Sequence, residues 1–496
     1  MEICQRTNLQ SLASQACELR GAFLSRLRLQ RYAKILKLPR LSSTFFQKNV
    51  FLGINSLFSG ITPSIYIARV KWPQTASCRS KRKTGKTGDF TLHRRRKTEE
   101  ELNISVQKLH STAEKCNFAY AMKNLTEEQE ATRCRDAINR LLRSECPFAL
   151  FRYPQAQEVE LILQTEGEPH VVVPDKKQME GFIFAPFHET RECPTLLIRP
   201  DIHAKGWNNI DLASERISKH SPALEMPGHE ENTEISGERL YERNFLSVMS
   251  EISQGNVEKI VLAHCQKETG EHHLWGREAD VFLNALSSQS NTMVSLVHTR
   301  QSGRWTGCTP ELLLWHEGDA WSTMALAGTR TPEDGDWDRK NQLEQEVVTR
   351  YIRATLQSLG AEVEEGRITT MHAAALMHIR TDIHFRFNTP PHPLQVARAL
   401  HPTPAVCGFP KEAALRHILR QEGESRRYFA GFLGTLSENG QAHLFVNLRC
   451  AQIAPHATCY HAGGGITALS QLPKEQQEIE RKMNVLKRLN PPCQKC

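Results

Sequence analysis

Six ionisable side chains stand where hydrophobic periodicity calls for apolar ones, and each needs either an exit to water or a partner. In the helical pattern that begins at Trp337, the apolar stripe runs Val348, Tyr351, Ile352, Leu356 and Leu359. One turn back from Val348 stands Glu344, which therefore faces the core, while Glu346 points away. A buried carboxylate is costly unless it is paired or bound to a cation; the plainer account is a glutamate at the end of the stripe that reaches solvent. Near the C-terminus Glu475, Glu478 and Lys482 share the helix face of Ile479 and Leu486. An ion-pair ladder on the surface explains that spacing. So do two carboxylates on separate helices that frame a hard oxygen site suited to Mg2+. On strands, Lys259 alternates with Val261 and Ala263, and Arg449 with Phe445 and Asn447. Such cations usually snorkel to water, but in a cavity an Arg clamps carboxylates and a buried Lys turns into a base. Gly463-Gly464-Gly465 lets backbone N–H groups approach an anion.

These side chains need a framework to hold them, and the hydrophobic patterning supplies one. Amphipathic helices are predicted over Glu127–Arg143 (apolar at Ala131, Ala137, Leu141 and Leu142), Glu238–Gln254, Trp337–Leu359, Pro393–Leu400 and Lys474–Leu489. Strands are predicted at Phe148–Arg152, Val159–Leu163, Val171–Val173, Gly181–Phe187, Glu258–Cys265, Met293–His298, Glu311–His316 and Ala320–Ala327. More follow at Phe429–Leu436, His443–Ile453 and Thr458–His461, with hairpin turns at Gly318-Asp319 and Asn439-Gly440. Residues 204–234 read as a long polar surface excursion. Strands joined mostly by hairpins, with interspersed helices, define an α+β domain of large antiparallel sheets and surrounding helices.

Charge divides the 496-residue chain. Residues 1–97 hold 20 Lys and Arg against Glu2, Glu18 and Asp89, leaving the rest with 43 bases and 52 acids. The domain reading is a basic extension over 1–121, a catalytic domain over 122–490 and a tail over 491–496. The extension reads as disordered, as an organelle transit peptide from its Arg/Leu-rich, acid-free composition over 20–40, or as sequence ahead of a working start at Met122. The uncharged run 49–68 is broken by Asn49, Asn55, Ser56, Ser59, Thr62, Pro63 and Ser64, which argues against a membrane span. The basic clusters at 81–83 and 93–97 read as solvated charge rather than a nucleic-acid site. Gly85-Lys86-Thr87 lacks the earlier glycine of a phosphate-binding loop. Fourteen scattered cysteines suit reduced thiols in a cytoplasmic enzyme, and the terminal Cys493-Gln494-Lys495-Cys496 stands without a second ligand pair.

The motifs across residues 130–490, strongest after 238, resemble the chorismate-utilising enzymes: isochorismate and salicylate synthases and the large subunits of anthranilate and aminodeoxychorismate synthases. The resemblance is carried by Glu258–Ala263, Gly307–Leu314, Leu326–Arg330, Glu344–Val348, His401–Ala405, Gly408–Pro410, Arg426 before Tyr428, Leu448–Ala451, Ala462–Ile466 and Glu475–Lys482. It implies the anthranilate synthase component I-like fold and a Mg2+ cofactor held by Glu344 and Glu478, with Glu475 supporting. It makes Lys259 the base that activates water and Glu311 the acid that protonates a departing hydroxyl. Arg449, Lys482 and the backbone around Gly463, Gly464 and Gly465 would hold chorismate, and Gly328, Thr329, His378 and Ala405 would line its site.

Within the family the chain is most similar to the isochorismate synthases, isomerases in which water adds at ring C2 as the C4 hydroxyl leaves. Aminodeoxychorismate synthases resemble it except for a lysine at the position of Ala327, and anthranilate synthases place glutamine where Lys259 stands. The resemblance therefore implies no glutamine amidotransferase partner; menaquinone is the product's expected use, with siderophores or salicylate as alternatives. Salicylate synthase is the second reading. His264 departs from the family pattern, which often has Arg there.

Overall fold

The computed structural model describes residues 128–172, 179–218, 237–423 and 425–490. The basic extension, the uncharged run, Met122 and the cysteine-bearing tail lie outside the described residues, as does Val173.

Among the described residues, two antiparallel sheets of nine strands each make up the body. One has the order β14 (Gly408–Phe409), β7 (Lys259–Thr269), β18 (Ala457–Ile466), β17 (Cys450–Ala454), β9 (Gly303–Thr309), β8 (Met293–Thr299), β1 (Phe148–Arg152), β2 (Glu160–Leu163) and β6 (Ile202–Lys205). The other runs β12 (Ala361–Ala373), β13 (Leu376–Phe387), β11 (Ala320–Arg330), β10 (Leu312–Glu317), β16 (Ala442–Val446), β15 (Phe432–Leu436), β4 (Gly181–Ala185), β5 (Leu196–Ile198) and β3 (His170–Val171). Around them lie α1 (128–144), α2 (Trp207–Ser218), α3 (Gly237–Ser253), α4 (Glu278–Ser288), α5 (Arg339–Ser358), α6 (Pro393–Leu400), α7 (Lys411–Gln421) and α8 (Leu472–Lys487). The α+β class and the large antiparallel sheets agree with the sequence reading.

Apolar residues from both sheets meet between them. Phe151 of β1 touches Phe182 of β4 with ring centroids 5.1 Å apart, and Phe184 stacks on Tyr428 at 4.3 Å. Full burial of each such ring stabilises by roughly 1.5–3 kcal/mol, so this aromatic layer is what keeps the sheets face to face.

Three local readings are corrected. Residues 202–205 pair with β2 and residues 207–218 form a helix that buries Ile210, Ala213 and Ile217, so this part of the expected excursion is regular structure, and residues 219–234 lie outside the described residues. Ala131 is exposed, and the buried stripe of α1 is Cys134, Ala137, Ile138, Leu141 and Leu142. The single strand read over 443–453 is two strands in different sheets. Arg449, with φ of 47°, breaks the extended path between β16 and β17. Period-two patterning ran through the break because both strands are largely buried.

That break has a neighbour. β9 passes to β10 through Pro310-Glu311, also moving from one sheet to the other, so Glu311 precedes β10 rather than opening it. The two crossings lie side by side: Val446 N–H donates to Glu311 O at 2.9 Å, and Cys308 N–H to Arg449 O at 3.2 Å. Thr309 Oγ1–H adds a 2.5 Å bond to Val446 O.

Candidate active site

A cleft of about 740 Å³ opens where the crossings, β7, β18 and the helices α5 and α8 meet. Part of that space is open to solvent. Lys259, Glu311, Ala327, Gly328, Thr329, Glu344, His378, Ala405, Arg449, Gly463, Gly465, Glu478 and Lys482 all line it. Side chains separated by more than 200 positions in the chain are thus brought to one place.

Lys259 opens β7 and is 2% exposed, with Nζ 3.3 Å from Glu344 Oε2. Burial lowers its pKa, and the adjacent carboxylate opposes that shift. Glu311 is 4% exposed, and burial pushes its pKa up to about 8 against the pull of Lys259 and Lys482. At neutral pH Glu311 therefore carries a proton it is able to give away.

The glycine triplet divides its work by strand alternation. β7 pairs with β18 as far as Ile466, whereas the ladder between β17 and β18 ends at the Cys450–His461 pair, so one edge of the triplet turns toward the cleft. A Cβ on Gly465 would lie 2.4 Å from Glu344 Oε2 and 2.7 Å from Lys259 Cε, so only glycine lets these two meet. Gly464 faces the other way: its Cβ would meet Glu475, Ile479 and Tyr241 at 3.5–3.7 Å. It packs beneath α8 and does not line the cleft, a correction to the sequence reading that follows from the two-residue period of a strand.

On the opposite wall, register between β11 and β13 shifts between Ala327 and Arg330. This bulge turns Gly328, at φ of 69°, and Thr329 into the cleft. Asn341 Oδ1 accepts from Thr329 N–H at 3.0 Å, and Asp338 caps α5 by accepting from Asn341 N–H at 2.8 Å. Gly328 O is 2.7 Å from His378 Nδ1, which places the ring proton on Nδ1 and leaves Nε2 to accept from Arg449 Nη2. Burial and the Arg449 charge hold His378 well below its usual pKa, so it is neutral. Arg449 Nη1 also donates to Ala373 O at 3.1 Å. The guanidinium is thereby fixed in direction with no carboxylate among these partners, which suits it to bind an anionic group.

Acidic groups gather on the helical side. Glu344, 6% exposed, and Glu475, 2% exposed, face each other from α5 and α8, with Lys340 between them. Glu478 pairs with Lys482 at 2.8 Å and bonds Thr329, and Lys482 Nζ also donates to Gly463 O at 2.8 Å. Among the described residues no three His, Cys, Asp or Glu side chains close into a metal cage. Each carboxylate is turned toward an ammonium instead. The donor chemistry nevertheless fits Mg2+, which takes one or two carboxylates and fills its remaining positions with water and ligand oxygens.

Several residues that build the site escaped the sequence reading. Arg426, noted only as a motif residue, forms a buried pair with Glu422 that clamps β7: Glu422 Oε1 accepts from Ala263 N–H at 2.9 Å, and Arg426 Nη2 donates to Val261 O at 2.7 Å. Removing one member of such a pair strands the other and costs about 3–5 kcal/mol. Lys340 and Asn341 were also missed. Lys340 was legible, because it precedes Glu344 by four on one helix. His461, stacked between Trp305 and Phe429, reaches the cleft from β18 with no signal in the sequence beyond strand alternation.

A family model described as "Chorismate binding enzyme" matches residues 195–489. The chain is 29% identical over 246 residues to the isochorismate synthase EntC of Escherichia coli K12, covering 46% of this chain and 61% of that protein. It is 32% identical over 247 residues to the isochorismate synthase MenF of Haemophilus influenzae, covering 47% and 56%. It thus spans about three fifths of the length of these relatives. Its fold is similar to that of MenF, the menaquinone-specific isochorismate synthase from Escherichia coli, with a TM-score of 0.57 at 21% identity over 70% of this chain and 89% of that one.

Proposed function

Because this chain belongs to the chorismate-binding enzymes, we propose that it isomerises chorismate to isochorismate. The observation that carries this reading is the pairing, in one cleft, of a lysine whose pKa is lowered and a glutamate whose pKa is raised to about 8. Displacing the C4 hydroxyl by water needs both: a base where the water adds, and an acid where hydroxide would otherwise have to leave. Lys259 takes a proton from water as its oxygen bonds to C2. The ring double bonds shift, the C4–O bond breaks, and Glu311 gives its proton to the departing hydroxyl, which leaves as water. One water enters and one departs.

Arg449 and Lys482 hold the substrate's two carboxylates, aided by the backbone of Gly463 and Gly465. His378 keeps Arg449 aimed, while Ala405, Gly328 and Thr329 shape the ring site. Glu344 and Glu478, supported by Glu475, would hold Mg2+, which supplies positive charge to the ring carboxylate when bound. Ala327, 8% exposed in the cleft wall, offers no amine, which favours water as the nucleophile over an enzyme lysine. The product's use we assign to menaquinone synthesis, and the catalytic unit to residues 122–490.

The test incubates the full chain with chorismate, with Mg2+ or with a chelator, and separates the products by chromatography. Isochorismate is expected only with the metal. Lys259→Ala should lower turnover by about 10²–10⁴-fold. Salicylate with pyruvate would move the assignment to salicylate synthase, and untouched chorismate would defeat it. Restoration of menaquinone in a bacterium lacking its own menaquinone-specific isochorismate synthase checks the pathway.

A further inference from the structure

Lys340 occupies the place where the acidic side chains of two helices converge. Its Nζ lies 2.8 Å from Glu344 Oε1 and 2.9 Å from Glu475 Oε1, with a further contact of 3.1 Å to Glu475 Oε2. The lysine side chain is 14% exposed and its partners 7% and 2%, so little water weakens these pairs. Counting its neighbours, three carboxylates (Glu344, Glu475, Glu478) meet the ammoniums of Lys340 and Lys482 and the amino group of Lys259. Each carboxylate already has a nitrogen partner. A divalent cation drawn to Glu344 meets a positive charge resting on that same carboxylate, and the ammonium and the metal repel each other over the shared oxygens.

We propose that Lys340 is a resident counter-ion that holds Glu344 and Glu475 together before metal arrives and competes with the divalent cation for Glu344. This rests on the reading that Glu344 and Glu478 take Mg2+. Metal entry is then an exchange of one cation for another. The lysine is a positioning residue: it touches neither substrate nor reacting atoms, and it sets how tightly the acidic pair takes a cation.

The experiment titrates Mg2+ by calorimetry into the full chain without substrate, comparing wild type, Lys340→Met, Lys340→Gln and Lys340→Arg, with thermal unfolding in chelator alongside. Removing the charge should tighten Mg2+ binding roughly tenfold or more, while Lys340→Arg stays near wild type. In chelator the two neutral variants should unfold at lower temperature, because their carboxylates then repel, and Mg2+ should raise their Tm more than that of wild type. The glutamine variant keeps the comparison alive if methionine fails to fold. Equal or weaker Mg2+ binding in the neutral variants overturns the inference while leaving the metal reading intact. No Mg2+ binding by any of the four proteins overturns both.

Discussion

The substitution Gly465→Ala tests the geometry of the cleft with a single methyl group. The new Cβ would sit 2.4 Å from Glu344 Oε2 and 2.7 Å from Lys259 Cε, so the carboxylate must move by about 1 Å to reach ordinary contact. Both neighbours are buried, and the backbone beneath the new methyl is held in the ladder with β7. Overpacking of this kind costs about 1–3 kcal/mol of stability, which in a body this size lowers Tm by only a few degrees. A shift of about 1 Å at a reacting group costs on the order of 10²-fold in rate, or about 2.7 kcal/mol of barrier. Steady-state assay on chorismate well below Tm should therefore show kcat/KM falling by about 10²-fold in a folded protein. Gly464→Ala is the control, because its methyl would find neighbours at 3.5–3.7 Å, and turnover should stay within about twofold of wild type. Wild-type turnover in Gly465→Ala, or equal damage at both glycines, would refute the assignment of the cleft to that face of β18.

Further outcomes follow from the same site. In its proposed role as acid Glu311 must be protonated, so kcat/KM should fall as pH rises through about 8, a limb absent from the residual activity of Glu311→Gln. Its folded pKa lies above the unfolded value, so the native state binds the extra proton and stability falls with rising pH from the ordinary carboxylate range to about 8. Denaturant titrations should accordingly show Glu311→Gln gaining on wild type across that window. Arg449→Lys keeps the charge but loses the planar fork held by His378 and Ala373, and KM for chorismate should rise at least tenfold with a smaller change in kcat. Deleting residues 1–121 should leave chorismate turnover in place; its loss in a folded remainder would assign the basic extension a part in the enzyme.

Much of the site was readable because a charge on an apolar stripe is conspicuous. Glu344 and Glu475 were marked by helical spacing, which left open a solvent exit for the first and a surface ion-pair ladder for the second; both are buried. Lys259 showed itself by strand alternation. Glu311 and His378 carried no such mark, since one stands on a crossing and the other on a strand (β13) that was not anticipated; resemblance alone pointed to them. β12 and β13 were missed because much of β12 is exposed and polar, and its pairing is satisfied by β13 rather than by an apolar face. Arg449 was found but on the wrong backbone. Alternation cannot reveal a strand break whose two sides are both buried, and only its φ of 47° does so. The hold of Glu422 and Arg426 on β7 depends on where that strand passes, which no local pattern encodes.

The paired crossings carry a mechanical consequence. Glu311 and Arg449 belong to neighbouring stitches that sew one sheet to the other, each bonded to the other's strand. Sliding of either layer would drag the Glu311 carboxyl and the Arg449 guanidinium as one piece, whereas Lys259, anchored at the tip of β7, and the acids of α5 and α8 ride on separate parts. Loosening a single stitch at the seam would thus disturb both groups together, whereas a shift of α5 or α8 would leave that pair in place.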